Sequence, residues 1–242
     1  MNRIKKLSSI IVIAILPFYN ITFAQLKNYS LCDDTEMQMT KCAEINDNIK
    51  NQRYYLAKTG LIEIEETCGL SSAGYIELIA LLSIQQDYIE AIKVGKQWES
   101  KPNLSNEDKQ QCYDLLFSAF FLNEDYHNAQ IYAEKLASIS TDDELTKVMF
   151  RLAKCYQKQD NIYMAYITYK KYANMRLKDL NKTEYDVNRH NISDKDLGYA
   201  YMYICKYLAR NNDDSYMNYL KMAASCGDKQ AIQMCNAYNM YY

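Results

Sequence analysis

Asp87-Tyr88-Ile89-Glu90-Ala91, Asp125-Tyr126-His127-Asn128-Ala129 and Asn161-Ile162-Tyr163-Met164-Ala165 are three versions of one short phrase, and their alanines lie 38 and 36 residues apart. A period of that length belongs to stacked two-helix units, each too small to bury its own apolar face and dependent on its neighbours. The phrase marks the start of each second helix.

The residues around it agree. Cys112, Leu115, Leu116, Ala119 and Phe120 recur at offsets of three and four, as do Ala129, Tyr132, Ala133, Leu136 and Ala137. Between these stripes lies the polar turn Asn123-Glu124-Asp125, short enough to force an antiparallel hairpin. Small residues at Ala129 and Ala133 let the helix axes approach, while Tyr132 and Leu136 fill the space beside them. In the first unit Tyr75, Leu78, Ile79 and Leu82 face Tyr88, Ala91, Ile92, Gly95 and Trp98; in the third, Met149, Leu152, Ala153 and Tyr156 face Ile162, Ala165, Tyr166, Tyr169 and Tyr172. Pro102 stops the second helix of the first unit, since proline lacks the donor a helix interior requires.

Composition bounds the class of work. With six Gly and two Pro in 242 residues, the chain is poorly supplied for the many turns of an all-β fold. At its start, Arg3, Lys5 and Lys6 precede the apolar run Ile10 to Leu16, and Thr22 and Ala24 put small residues three and one positions before Gln25. This layout predicts a secretory signal over residues 1–24, cut after Ala24; the apolar stretch is far short of the ~20 residues that span a bilayer. No membrane span is then expected in the remaining chain. The 28 Lys+Arg against 30 Asp+Glu become a surplus of five acids once the three basic signal residues are removed. A nucleic-acid-binding chain would usually be basic, so no nucleic-acid partner is expected.

Eight cysteines follow the signal: Cys32, Cys42, Cys68, Cys112, Cys155, Cys205, Cys226 and Cys235. An even number in an exported chain permits disulfides, but Cys112, Cys155 and Cys235 also fall on helix faces that should be packed as small hydrophobes. A hairpin folded near Ile49 puts Cys32, 17 residues before the turn, at the same open end as Cys68, 19 after it, which makes them a sensible bridge. Cys226 and Cys235 flank Gly227 with an axial mismatch of roughly 10 Å, too far for a local bridge. Cys155, Cys205 and Cys235 sit in first helices of successive units, where pairing between neighbours is conceivable.

Catalytic chemistry finds little to use. The only histidines are His127, in a repeat turn, and His190. No His-Glu-x-x-His, glycine-rich phosphate loop or Cys-x-x-Cys occurs, so no metal site, cofactor or enzymatic activity is expected. Adjacent carboxylates such as Asp33-Asp34, Glu65-Glu66, Asp142-Asp143 and Asp213-Asp214 are explained by helix ends and a solvated surface. The 24 tyrosines cluster in helices, at Tyr163, Tyr166, Tyr169 and Tyr172 and again at Tyr199, Tyr201, Tyr203 and Tyr207, mostly as core.

The repeated residues resemble the tetratricopeptide repeat over Ser71 to Met175, with large apolar residues on the first helix and alanine opening the second. Tyr219-Leu220-Lys221-Met222-Ala223-Ala224-Ser225-Cys226-Gly227-Asp228-Lys229-Gln230-Ala231 resembles the related Sel-type repeat, with Gly227 supplying a left-handed helix end and Asp228 the next cap. The resemblance implies an all-α, right-handed superhelical solenoid of antiparallel helix pairs. We divide the chain into the signal (1–24), an N-terminal capping hairpin (25–70), three tetratricopeptide-like repeats (71–180), a polar loop (181–195) that breaks the period, and a Sel-like repeat with a cap helix (196–242).

The resemblance also implies a binding face, the exposed flank of the first helices. Beside each apolar stripe this flank carries Gln111, Asp114, Ser118 and Phe121, then Phe150, Lys154 and Lys158. Phe121 and Phe150 stand out, since large apolar residues off the packing stripe are expected to be covered by something. The expected function is an exported, periplasmic or secreted, interaction module for a protein or peptide partner. Two alternatives stand beside it: a cysteine-rich repeat protein that binds or modifies peptidoglycan, with a glycan partner, and an envelope protein that neutralises a toxin.

Overall fold

The structure, a computed structural model, describes residues 28–32, 35–189 and 192–242. The expected signal segment and His190 lie outside the described residues. Among these residues there are twelve helices: α1 (Thr35–Lys50), α2 (Tyr54–Thr67), α3 (Ser72–Ile84), α4 (Tyr88–Glu99), α5 (Asn106–Leu122), α6 (Tyr126–Ile139), α7 (Asp142–Lys158), α8 (Ile162–Asp179), α9 (Glu184–Arg189), α10 (Lys195–Arg210), α11 (Tyr216–Ser225) and α12 (Lys229–Ala237). The only other regular pairing among them is an isolated antiparallel bridge between Ser30 and Leu70. No described helix is long and apolar enough to cross a membrane.

The repeated phrase owes its regularity to one joint. In each copy the first residue caps the second helix: Asp87 accepts from Glu90 N, Asp125 from Asn128 N at 3.1 Å and Asn161 from Met164 N at 3.3 Å. A short polar side chain there satisfies one of the orphan N–H groups of the first turn. The residue just before each cap is left-handed, with φ of 62° at Gln86, 62° at Glu124 and 55° at Asp160. None of them is glycine, although this region strains side-chain-bearing residues.

The helices form two compact units that divide after Ala119, within α5. In the first unit α1 packs on α2, α2 on α3 and α3 on α4. The α3–α4 hairpin centres on Trp98, 1% exposed, whose ring stacks parallel on Tyr75 at 5.8 Å. A Cβ on Gly95 would lie 2.6 Å from Cδ2 and 2.9 Å from Cγ of Leu116, so only glycine lets α5 come this close to α4. The N-terminal hairpin buries Ile45, Ala57, Leu61 and Ile64, and Gly60 lies close against Ile45. Its open end is closed three ways: Cys32 and Cys68 form a disulfide with Cα atoms 5.2 Å apart, Leu31 N donates to Gly69 O at 3.0 Å, and Ser71 N donates to Tyr29 O at 2.9 Å.

In the second unit α6 packs on α7, α7 on α8, α8 on α10, α10 on α11 and α11 on α12. Its core is rich in tyrosine, with Tyr132, Tyr169, Tyr172 and Tyr201 all buried. Of the two tyrosine stripes only Tyr169, Tyr172 and Tyr201 are buried; Tyr166, Tyr203 and Tyr207 are half-buried, and Tyr163 and Tyr199 are exposed. Gly227 is left-handed, with φ of 87°, and Asp228 accepts from Ala231 N at 2.8 Å to cap α12.

Two expectations need correction. Segment 181–195 is not simply a loop, because it contains α9. Thr183 and Asp186 cap that helix reciprocally, Thr183 N donating to the Asp186 carboxylate at 2.7 Å, and Val187, fully buried, sits in the face that packs on α11. The apolar anchor is one residue long, too short to register as a periodic stripe. The cysteine alternatives also resolve: Cys42, Cys112, Cys155, Cys205, Cys226 and Cys235 are buried thiols without bridges, so pairing of Cys155, Cys205 or Cys235 between neighbours does not occur.

Candidate functional site

The residues singled out on the first-helix flank fall in both units. Gln111, exposed, and Asp114 and Ser118, half-buried, lie in the first unit on one side of α5. Phe121, Phe150, Lys154 and Lys158 lie in the second.

There the structure corrects the premise that marked the two phenylalanines. Phe150 is only 9% exposed. Its ring meets Tyr172 at 4.9 Å, Tyr169 at 5.9 Å and Tyr199 at 6.1 Å, and the Lys154 ammonium sits 4.6 Å from its centroid. Phe121 is half-buried and edge-on to Tyr126 at 5.2 Å, and Lys158 lies over the Tyr126 ring at 5.6 Å. What covers both rings is the chain itself.

The covering residues make the more informative surface. Lys154 also lies 5.7 Å from the centroid of Tyr199, so one ammonium serves two ring faces at once. Burial lowers its pKa, and Asp196 opposes that shift. The Gln157 carboxamide locks the tyrosines: Tyr169 OH donates to Oε1 at 2.7 Å, and Nε2 donates to Tyr199 OH at 2.9 Å. Tyr169 and Tyr203 add a tilted ring contact at 4.8 Å. Burial raises the pKa of both phenols, holding them as neutral donors.

Beside this cluster opens a cleft of about 250 Å³ between α7, α10 and α12, lined in part by Gln157, Tyr199, Tyr203, Lys206, Arg210 and Gln230. Lys206 Nζ donates to Gln230 Oε1 at 2.9 Å, leaving further N–H groups for a ligand. The exposed guanidinium of Arg210 stands at the end of α10. Tyrosine hydroxyls, the carboxamides of Gln157 and Gln230 and the cations of Lys206 and Arg210 give the cleft chemistry that can take a carboxylate beside an apolar side chain.

Sequence reasoning placed Tyr199 and Tyr203 among tyrosines that are mostly core and did not single out Lys206 and Arg210, although the signal was present. Their spacings of four, three and four draw a single flank of α10, outside the buried stripe of Leu197, Tyr201, Ile204, Cys205 and Leu208. The flank rule used for α5 and α7 finds them when extended to α10.

No family model matches the chain, and no curated protein matches it. Solved structures do. MamA from AMB-1 superposes with a TM-score of 0.58 at 12% identity, covering 83% of this chain and 97% of that one. MamA from MSR-1 gives 0.56 at 13%, covering 80% and 98%. A kinesin light chain from Podosopora anserina, described as having nearly identical TPR-like repeats, gives 0.57 at 14%, covering 79% and 95%. At such identities the likeness concerns the fold: this chain is an all-α protein of consecutive helix hairpins, built like the tetratricopeptide-like repeat proteins.

Proposed function

We propose that the chain is an exported interaction module of the cell envelope, which holds a peptide segment of a protein partner along the first-helix flank of its second unit. The observation that carries this reading is the cleft beside Tyr199. Its aromatic wall is fixed from within by Gln157 and Lys154, so little side-chain entropy remains to be lost on binding. Lys206 and Arg210 favour a segment that brings a carboxylate to the end of α10. The likeness to tetratricopeptide-like folds supports a scaffold that binds proteins, and export rests on the basic and apolar layout of residues 1–24. The Sel-like reading of the last unit is supported by the left-handed Gly227 and the Asp228 cap.

Capture from the native envelope, followed by mass spectrometry, tests the proposal when wild type is compared with Tyr199→Ala and Arg210→Glu. Both positions are exposed, so folding should survive. A partner held by wild type and by Tyr55→Ala, an exposed position on α2 in the first unit, but lost by both cleft variants, is the expected result. Equal capture by all four proteins would show that the cleft is not the binding face.

A further inference from the structure

A second cleft, of about 350 Å³, lies elsewhere in the second unit, where α9 interrupts the repeats. Its walls come from Tyr166 and Lys170, one turn apart on α8, from Glu184, which opens α9, from Asp213 and Ser215 in the turn before α11, and from Asn218 and Tyr219 on α11; the buried Leu208 and Met222 give it an apolar floor. The burial of Val187 and the Thr183–Asp186 cap fix where Glu184 stands. Both wall tyrosines are held by another ring, Tyr166 by Tyr207 stacked at 4.0 Å and Tyr219 by Tyr201 tilted at 6.0 Å.

We propose that this cleft binds a neutral, hydroxyl-rich ring, that is, a saccharide unit. The argument is one of matching. Ser215 occupies Asp213 Oδ1 through its amide at 3.0 Å and its hydroxyl at 2.6 Å, while the side chains of Glu184 and Asn218 have no hydrogen-bond partner among the described residues. Lys170 stays protonated, its pKa raised by Tyr219 and further by Tyr166 and Glu184. The Tyr219 phenol stays neutral, its pKa raised by burial and then by Glu184. The cleft therefore alternates carboxylate and carboxamide acceptors with ammonium, phenol and amide donors. An anion would meet two carboxylates, and a cation would have to displace or oppose Lys170. A purely apolar ligand would strip water from Glu184 and Asp213 without replacing it. A sugar hydroxyl both donates and accepts, and the C–H face of its ring lies well on a tyrosine. The volume falls in the range of small-ligand sites.

Amide shifts in the ¹⁵N-labelled full chain, titrated separately with chitobiose, cellobiose and maltose to about 10 mM, test this site; ligands of this size in open clefts bind in the millimolar range. At least one disaccharide should move amides of residues 166–170, 184–187 and 213–222 together. Glu184→Gln and Asn218→Ala, both at exposed positions, should each weaken it about tenfold, the loss of one hydrogen bond to a sugar hydroxyl. Lys206→Ala, in the other cleft, should not. Cosedimentation with purified peptidoglycan, lost in the same two variants, assigns the sugar to a cell-wall polymer. Disaccharide binding without cosedimentation assigns it to a free saccharide, and either result upholds the ligand class. Silence of these amides to all three sugars overturns the proposal, as does undiminished binding by both variants. Larger shifts of the same amides by sodium acetate or spermidine at equal concentration would also overturn it.

Discussion

Removing the Cys32–Cys68 bridge, by Cys32→Ser with Cys68→Ser, tests how the N-terminal hairpin is held. The two residues are 36 apart in sequence, and the chain-entropy relation for a loop of that length gives about 13 cal/mol/K, or ~4 kcal/mol at 25 °C, of constraint lost from the unfolded state. Measured effects usually fall below this figure, so a loss of about 2–4 kcal/mol is expected in guanidinium unfolding followed by circular dichroism. Thiol counting with a chromogenic disulfide supplies an independent readout. The six remaining cysteines are buried, so the native protein should react slowly, unfolded protein without reductant should show six thiols, and unfolded reduced protein all eight. Eight thiols before reduction, or a destabilisation under about 1 kcal/mol, would refute the reasoning.

Gly95→Ala sets helix propensity, worth about 1 kcal/mol in favour of alanine, against a Cβ placed 2.6 Å from Leu116. Because the second-nearest atom is the branch point Cγ, the buried leucine cannot simply swing aside, and a net loss of about 1–2 kcal/mol is expected in thermal unfolding. Phe150→Ala should cost about 3–5 kcal/mol as a core truncation, whereas Phe121→Ala, at a half-buried ring, should cost nearer 1 kcal/mol in the same assay. Burial pushes the thiols of Cys155 and Cys226 up to about 12 and that of Cys205 up to about 11. Unfolded thiols ionise near pH 9, so the unfolded chain loses these protons first. Stability from these groups is complete below about pH 9 and declines as pH rises toward 12, measurable as a falling denaturant midpoint. Val187→Asp should release α9 and speed amide exchange over 184–189 while the α7–α8 hairpin stays protected.

The architecture was legible because the signal repeats: an alanine at the same place in three units, and stripes at helical offsets, declare helices and their pairing without help from tertiary contacts. The joint was only half legible. Asp87, Asp125 and Asn161 can be read as cap residues, but nothing in Gln86, Glu124 or Asp160 announces a left-handed backbone, because these side chains are tolerated there rather than required. The candidate binding face was harder to read. Whether Phe150 is exposed depends on Tyr199, 49 positions away on α10, and no periodicity within α7 carries that information. Helix α9 escaped for a related reason, since a single buried valine among polar residues looks like a loop until its packing partner is known.

The left-handed residue and its polar cap form a connector that is the same whichever helices it joins. At Gln86–Asp87, Glu124–Asp125 and Asp160–Asn161 the backbone turns alike although the flanking sequences differ. A first helix from one hairpin could thus be spliced to the second helix of another without redesigning the turn. Duplication and recombination of units would then be limited by how side chains such as Gly95 and Leu116 fit, and hardly at all by how the chain reverses direction.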